Sequence, residues 1–122
     1  MPKKLKLLLV DDEESLLLLI RDELENSGYD VDTAESGEKA LEILSKKKFA
    51  IVVLDIMMPG IDGLEVLKNI RQQGLKSKVV LLTGVNELKI ARDSLALGAN
   101  DFLMKPYDFN TLKTCLERVM KE

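Results

Sequence analysis

Five short apolar segments alternate with five segments of helical pattern, and this alternation constrains the fold more than any other feature of the chain. Each apolar segment has the length of a strand, and helical periodicity follows it. Such alternation favours a parallel sheet with helices on both faces, because right-handed crossovers place each helix over the sheet. The predicted strands are 5–10, 30–34, 50–54, 79–82 and 101–104, and the predicted helices are 13–26, 37–45, 63–72, a fourth from a cap at Asn86 to near Gly98, and 108–121.

We therefore predict an α/β fold of the flavodoxin-like, doubly wound (βα)5 type, with a five-stranded parallel sheet in the order 2-1-3-4-5. The 122 residues suit one domain, 1–122, because two domains of half this length would each have a very small core. In folds of this type, chemistry collects at the carboxyl ends of the strands, beside the point where the strand order reverses.

Composition excludes several classes of function. The net charge of -3 argues against direct nucleic-acid binding, because phosphate contacts need clustered Lys and Arg. The longest apolar runs, 16–20 and 50–54, are far shorter than the ~20 residues that cross a bilayer. The only cysteine, Cys115, cannot form an internal disulfide, and we expect it to pack in the core. No leader is visible in the sequence. We therefore expect a cytoplasmic protein without membrane contact. Histidine is absent, so any chemistry must use carboxylates, hydroxyls and lysines.

Polar side chains that can do chemistry follow four of the predicted strands. Asp11 and Asp12 follow the first strand, Asp55 the third, Thr83 the fourth and Lys105 the fifth. Because strands one and three are neighbours in the predicted order, the three carboxylates should meet at one edge of the sheet. Taken singly, each residue has an ordinary role as a turn former, a strand residue or a complement to a helix dipole. Their coincidence at one edge indicates a site.

Three carboxylates at close range raise each other's pKa, and a hard divalent cation with oxygen ligands relieves the repulsion. We expect Mg²⁺, shared by Asp11, Asp12 and Asp55. A carboxylate can also attack phosphorus, and phosphoryl transfer needs mainly positioning and neutralisation of charge. We assign Asp55 as the acceptor because it stands alone at the central strand, with Lys105 and Thr83 each on one phosphoryl oxygen.

The sequence resembles the receiver domain of bacterial response regulators over its whole length, through LLLVDDEES, VVLDIMMPGIDGLEVL, VVLLTG and GANDFLMKP. The resemblance implies a phosphoacceptor switch that receives a phosphoryl group on Asp55 from a sensor histidine kinase or a histidine phosphotransfer protein. It implies that Asp11 and Asp12 bind Mg²⁺, and that Thr83 and Lys105 contact the phosphoryl group. Such a domain is not an enzyme in the ordinary sense, although it catalyses its own phosphorylation and slow dephosphorylation.

The resemblance also assigns roles that the residue pattern alone does not. It implies that the backbone carbonyl of Met57 is a further metal ligand and that the bond before Pro106 is cis. Phe102, by default a core aromatic, would rotate inward when Thr83 moves toward the phosphoryl group. This movement would couple the site to the face formed by the fourth helix, fifth strand and fifth helix. That face would engage a partner, an output domain or, as a homodimer, a second copy of the chain.

In this family the first helix docks on the helical bundle of the phosphodonor. A core stripe of Leu16, Ile20 and Leu24 would leave Leu18 on the opposite face, with Leu17 at its edge. We therefore expect Leu18 and Leu17 to contact the donor.

Two further positions influence the lifetime of the phosphoryl group in the family, and they hold Met57 and Val85 here. Neither side chain can orient an attacking water by hydrogen bonding. We therefore predict a comparatively long-lived phosphorylated state.

Other functions remain open on the sequence. A flavin or nucleotide binder would need a glycine- or hydroxyl-rich loop after the first strand, and no P-loop or G-x-G-x-x-G motif occurs in the sequence. A haloacid-dehalogenase-like phosphatase would separate its two aspartates by one residue, whereas Asp11 and Asp12 are adjacent. A degenerate receiver that binds partners without phosphorylation is the main alternative. Both a stand-alone receiver and a part of a larger regulator fit the sequence.

Overall fold

The computed structural model describes residues 4–122, so the first three residues of the predicted domain 1–122 lie outside it. None of the helices in this range is long and apolar enough to cross a membrane. Strands and helices alternate as predicted: β1 (Lys6–Val10), α1 (Glu14–Asn26), β2 (Asp30–Ala34), α2 (Gly37–Leu44), β3 (Ile51–Asp55), α3 (Gly63–Gln72), β4 (Lys78–Thr83), a 3₁₀ turn (Val85–Glu87), α4 (Leu88–Leu95), β5 (Asp101–Met104) and α5 (Phe109–Met120).

The strands form one parallel sheet in the order β2-β1-β3-β4-β5, which confirms the predicted flavodoxin-like topology. Side chains of each strand alternate between the two faces. On β1, Leu7 and Leu9 pack with α1 and α5, whereas Leu8 and Val10 pack with α2, α3 and α4. The central strands are therefore apolar on both faces, as a sheet covered by helices on both sides requires.

Three helices begin with a side-chain cap. The hydroxyl of Ser36 accepts a hydrogen bond from the third backbone N–H of α2, and the carboxylates of Asp62 and Asp108 do the same for α3 and α5. These bonds satisfy N–H groups that have no partner within the helix.

The start of the fourth helix differs from the prediction. Asn86 lies inside the 3₁₀ turn and does not cap α4, which begins at Leu88 without a side-chain capping bond from any described residue. The carboxylate of Glu87 accepts the N–H of Gly84 at 3.2 Å, which favours a tight turn ahead of the helix. The helix also ends earlier than predicted, and a turn leads from it to Gly98.

The buried stripe of α1 is also different. Leu17 packs in the core with Ile20 and Leu24 and is only 2% exposed, so it cannot contact a donor as predicted. Leu16 is half-buried, and Leu18 is exposed as expected. The run of leucines from 16 to 19 contains no polar residue that would show which side of the helix faces solvent. Packing against the sheet therefore determines which of these leucines is buried.

Cys115 lies on the buried face of α5, as expected for a packing residue. Burial raises the pKa of its thiol to about 11, and the negative charge of Asp101 adds to the rise. Because the thiolate is the reactive form, this side chain is a weak nucleophile at neutral pH.

Candidate functional site

Three carboxylates meet at the carboxyl end of the central strands. β1 and β3 are neighbours with Val10 opposite Leu54, so Asp11 and Asp55 come side by side one residue further on. Asp11, Asp12 and Asp55 each offer a carboxylate oxygen within 4.8 Å of the others. Asp11 and Asp55 are 2% and 6% exposed, and Asp12 is open to solvent. The structure thus brings together the acids that the sequence placed at one edge.

Lys105 joins two of these acids. Its ammonium lies 3.1 Å from Oδ2 of Asp11 and 3.0 Å from Oδ2 of Asp55. The backbone N–H of Lys105 donates to the carbonyl of Thr83 at 2.7 Å, which ties the loop after β5 to the end of β4. The bond between Lys105 and Pro106 is cis, as the resemblance implied.

The loops themselves orient the two buried carboxylates. Oδ1 of Asp11 accepts the N–H of Glu13 at 3.0 Å, and Oδ1 of Asp55 accepts the N–H of Met57 at 3.2 Å. Each acid therefore uses one oxygen to cap its own turn and presents the other to Lys105. A carboxylate oxygen has two lone pairs, so both acids keep acceptor capacity for a further ligand.

The electrostatics of the cluster combine burial with opposing charges. Burial raises the pKa of Asp55, the hydrogen bond and charge of Lys105 counteract this, and the charge of Asp11 raises the pKa further. Burial pulls the pKa of Lys105 down, but its hydrogen bonds and charge interactions with the two acids outweigh burial and raise it. One ammonium thus contacts two of the three clustered carboxylates. An all-oxygen donor set with surplus negative charge suits a hard divalent cation.

Thr83 is the last residue of β4 and is buried. Its hydroxyl donates to the carbonyl of Gly84 at 3.1 Å, so it must leave this bond before it can donate to a phosphoryl group. Phe102 on β5 is half-buried and packs against the core on the side of α2, α3 and α4. The expectation of a core aromatic is therefore met only in part, and the rotation of Phe102 stays a prediction.

Two apolar side chains lie in the loops that follow β3 and β4. Met57 is 56% exposed and Val85 is 66% exposed, so neither is a core residue. The role of the Met57 carbonyl as a metal ligand stays a prediction.

Sequence reasoning missed Tyr107. This residue lines a groove of about 390 Å³ between α1 and the loop after β5, together with Leu16 and Pro106. Burial raises the pKa of the Tyr107 phenol to about 12, and the charge of Asp11 contributes. In the sequence, only its position two residues after Lys105 indicated that Tyr107 lies near the site. The groove could not be predicted, because segments far apart in the chain form it.

A parallel α/β domain with an acidic cluster and a lysine at the carboxyl ends of its strands is the class that this fold and site define. The family described as Response regulator receiver domain matches residues 7–117, and the chain belongs to that family. Receiver domains of this family are signalling modules of two-component systems.

Individual relatives agree with this assignment. The chain is 40% identical over 116 residues to the alkaline phosphatase synthesis transcriptional regulatory protein PhoP of Bacillus subtilis, covering 95% of this chain and 48% of the relative. It is 30% identical over 115 residues to sporulation initiation phosphotransferase F of the same organism, covering 94% of this chain and 93% of the relative. The high-resolution structure of chemotaxis response regulator CheY4 of Vibrio cholerae superposes with a TM-score of 0.88 at 32% identity, covering 95% of this chain and 98% of that one.

The chain spans about half the length of several relatives that it matches, including PhoP and the regulator YkoG of Bacillus subtilis. It spans nearly the whole of sporulation initiation phosphotransferase F. Relatives thus include both longer regulators and a protein of similar size.

Proposed function

We propose that this chain is a signalling switch that accepts a phosphoryl group on Asp55 from a sensor histidine kinase or a histidine phosphotransfer protein, in a reaction that requires Mg²⁺. The observation that carries the proposal is the position of the Lys105 ammonium between Asp11 and Asp55, at the edge where Asp12 also lies. Membership of the receiver family supports the same function. A degenerate receiver would have no need to keep three carboxylates together with a lysine that contacts two of them.

Asp55 is the better acceptor of the two buried acids. Asp11 has a second carboxylate beside it in Asp12, and this pair suits a cation, whereas Asp55 stands alone at the end of β3. In the transfer, an oxygen of Asp55 forms a bond to phosphorus while the bond between phosphorus and the donor's imidazole nitrogen breaks. The electron pair stays on that nitrogen, and Asp55 becomes an acyl phosphate.

Asp11, Asp12 and Asp55, with the backbone carbonyl of Met57, would hold the cation. All of these ligands are oxygens, as Mg²⁺ prefers. Bound there, Mg²⁺ would neutralise the negative charge of the phosphoryl oxygens and help align them for in-line transfer.

Lys105 and Thr83 would hold two further phosphoryl oxygens. The ammonium already lies 3.0 Å from the acceptor carboxylate, so it needs little movement to contact a phosphoryl group bonded there. Thr83 would exchange its bond to the Gly84 carbonyl for one to the phosphoryl group. This exchange moves the end of β4, and Phe102 would then turn inward on the neighbouring strand.

The response surface would be the α4-β5-α5 face. It exposes Ile90, Leu95 and Leu97 on or just after α4, and Met104 at the end of β5. Exposed apolar side chains grouped on one face are typical of protein contacts. We propose that this face engages a partner, an output domain or a second copy of the chain, in the cytoplasm and without direct nucleic-acid or membrane binding.

The donor would dock beside the acidic cluster on α1. Leu18 is exposed there, and Leu19 replaces the predicted Leu17 as its exposed neighbour. Leu18→Glu should slow phosphotransfer from the cognate kinase while leaving phosphorylation by a small phosphodonor unchanged. Equal transfer rates from the kinase would rule out this contact.

The phosphorylated state should be comparatively long-lived, because the exposed Met57 and Val85 cannot hold an attacking water by hydrogen bonds. Replacing Val85 with glutamate should shorten the lifetime of the acyl phosphate, measured as loss of the phosphoryl adduct over time. An unchanged or longer lifetime would contradict this role.

The central test is to incubate the protein with Mg²⁺ and a small acyl phosphate donor and to measure its intact mass. We expect one phosphoryl adduct on the parent and none on Asp55→Asn. Asp93→Asn is the matched control, because Asp93 is an exposed aspartate on α4 that should leave the adduct unchanged. Adduct on the Asp55 variant, or none on the parent, would overturn the proposal. Chelation of Mg²⁺ should also abolish the adduct.

A further inference from the structure

The charged residues of the loops are divided between the two ends of the sheet. The described loops that follow the carboxyl ends of the strands contain one cation, Lys105. The acids at this end are Asp11, Asp12, Glu13, Glu35, Asp55, Asp62, Glu87 and Asp108. At the amino ends, the described loops, strand starts and the segment after α5 carry the lysines Lys4, Lys6, Lys46, Lys47, Lys48, Lys76, Lys78 and Lys121, against the acids Asp30, Asp101 and Glu122. A chain with net negative charge thus has one distinctly basic end.

A groove of about 500 Å³ opens at this basic end, between the loop that precedes β3 and the loop that precedes β4. Leu44, Phe49 and Leu75 line it with apolar surface, and Lys48 and Lys76 contribute charge. We call it the basic-end groove. It lies at the opposite end of the strands from Asp55, so it is separate from the phosphoacceptor cluster.

Two of the three lysines that line the groove are available to bind an anionic group. Lys47, which also lines the groove, is paired with Asp32 at 2.7 Å. Within residues 4–122, Lys48 and Lys76 have no ion-pair partner, and both are exposed. The buried hydroxyl of Ser77 donates to the carbonyl of Phe49 at 2.7 Å, so the hydroxyl already has a partner. The groove therefore offers apolar contact and free positive charge.

We propose that the basic-end groove binds an acidic peptide segment of a partner protein. One apolar side chain of the segment would enter the groove, and flanking carboxylates would contact Lys48 and Lys76. Grooves of roughly 300–1,000 Å³ with mainly apolar walls and a few placed charges are typical binding sites. The charge division supplies the complementarity, since opposite potentials favour association and exclude basic partners.

The same observations disfavour two other anionic occupants. A nucleic acid would need an exposed aromatic face for stacking, and Phe49 is buried. Phosphate contacts would need a row of free cations, whereas Lys46 pairs with Glu42, Lys47 pairs with Asp32, and Lys78 donates to the backbone oxygen of Glu122. Proteins that bind a membrane surface typically do so through an amphipathic helix with an exposed apolar face. Here the apolar surface is recessed between two loops.

The test uses a synthetic peptide with one phenylalanine flanked on both sides by glutamates, titrated into the full chain and followed by amide NMR. We expect saturable shifts at residues 47–50 and 74–77, and binding that weakens with added salt. A peptide with glycine in place of the phenylalanine should bind about tenfold more weakly. The Asp55→Asn variant should bind as the parent does, which separates this inference from the proposed phosphorylation.

Paired charge reversals complete the test. Lys48→Glu with Lys76→Glu should weaken binding about tenfold, and the control pair Lys89→Glu with Lys113→Glu, which changes net charge equally on exposed helix positions, should change it less than about twofold. Thermal unfolding would verify that both double variants fold. The milder double variant Lys48→Gln with Lys76→Gln should also bind the peptide more weakly than the parent and the control pair do. Several outcomes would overturn the proposal: no saturable shift at the groove, equal loss in both reversed pairs, equal binding without the phenylalanine, or tighter binding to anionic vesicles or duplex DNA.

Discussion

The connection that leaves β3 is built differently from the one that leaves β4. After β3, the N–H of Gly63 donates to the carbonyl of Ile56 at 2.9 Å, and a Cβ added at Gly63 would lie 2.3 Å from the carbonyl oxygen of Asp55. After β4, a Cβ added at Gly84 would first meet the carboxylate of Glu87, at 2.8 Å. The loop after β3 is thus held by close backbone packing, whereas the loop after β4 is held by a side chain that can move.

The helices that follow show the same contrast. α3 has a capping carboxylate and buries Gly63, Val66, Leu67 and Ile70, whereas α4 buries only Ala91 and Ser94 among its described residues. Segments with few buried apolar contacts open at lower free energy than the core. The proposed switch needs this division, because Asp55 must keep its geometry while the α4-β5-α5 face changes.

The largest expected effect tests the packing of the two loops directly. Gly63→Ala should lower the free energy of unfolding by about 3 kcal/mol, because the new methyl group meets backbone that cannot retreat. Gly84→Ala should cost about 0.5 kcal/mol or less, because the Glu87 side chain can move aside. Urea denaturation followed by circular dichroism measures both. Equal losses would show that the two loops are held alike.

A second prediction concerns the contact between α3 and the connection from α4 to β5. The guanidinium of Arg71 at the end of α3 donates to the carbonyl of Gly98 at 2.8 Å and 3.0 Å, and to Asn100 Oδ1 at 3.2 Å. Arg71→Met should lower the free energy of unfolding by about 2 kcal/mol, because the connection from α4 to β5 loses charged donors. Arg92→Met, at an exposed position of α4, is the matched control and should stay within about 0.5 kcal/mol of the parent. If the two variants unfold at the same urea concentration, the bonds of Arg71 do not stabilise the contact between α3 and the connection from α4 to β5.

Most of the fold was predictable because it follows from short-range patterns. Apolar runs of strand length gave the five strands to within about one residue at most ends, and the position of Asp11, Asp55 and Lys105 after their strands was enough to predict that they meet. A parallel sheet turns position at a strand end into spatial proximity. The site geometry was therefore accessible from sequence, although no local pattern predicts how the oxygens of each carboxylate divide their hydrogen bonds.

The predictions that failed share a cause. Leu17 and Leu16 are equivalent by residue type, and only packing against the sheet selects Leu17 for the core. Asn86 is a good cap by residue type, but the 3₁₀ turn takes that position. The bonds of Arg71 to Gly98, about which no prediction was made from the sequence, have the same cause, because they join residues far apart in the chain and no sequence window contains both. These features depend on tertiary contacts.

The smallest expected effect contrasts the two helix starts. The carboxylate of Asp62 accepts the N–H of Glu65 at 3.0 Å, so Asp62→Ala should cost about 1 kcal/mol through loss of the α3 cap. Asn86→Ala should change the free energy of unfolding by less than about 0.3 kcal/mol, because this side chain caps no helix. Urea midpoints of both variants against the parent decide the matter. A loss at Asn86 as large as that at Asp62 would mean that α4 has a side-chain cap in solution, and the contrast between the two connections would then rest on backbone packing alone.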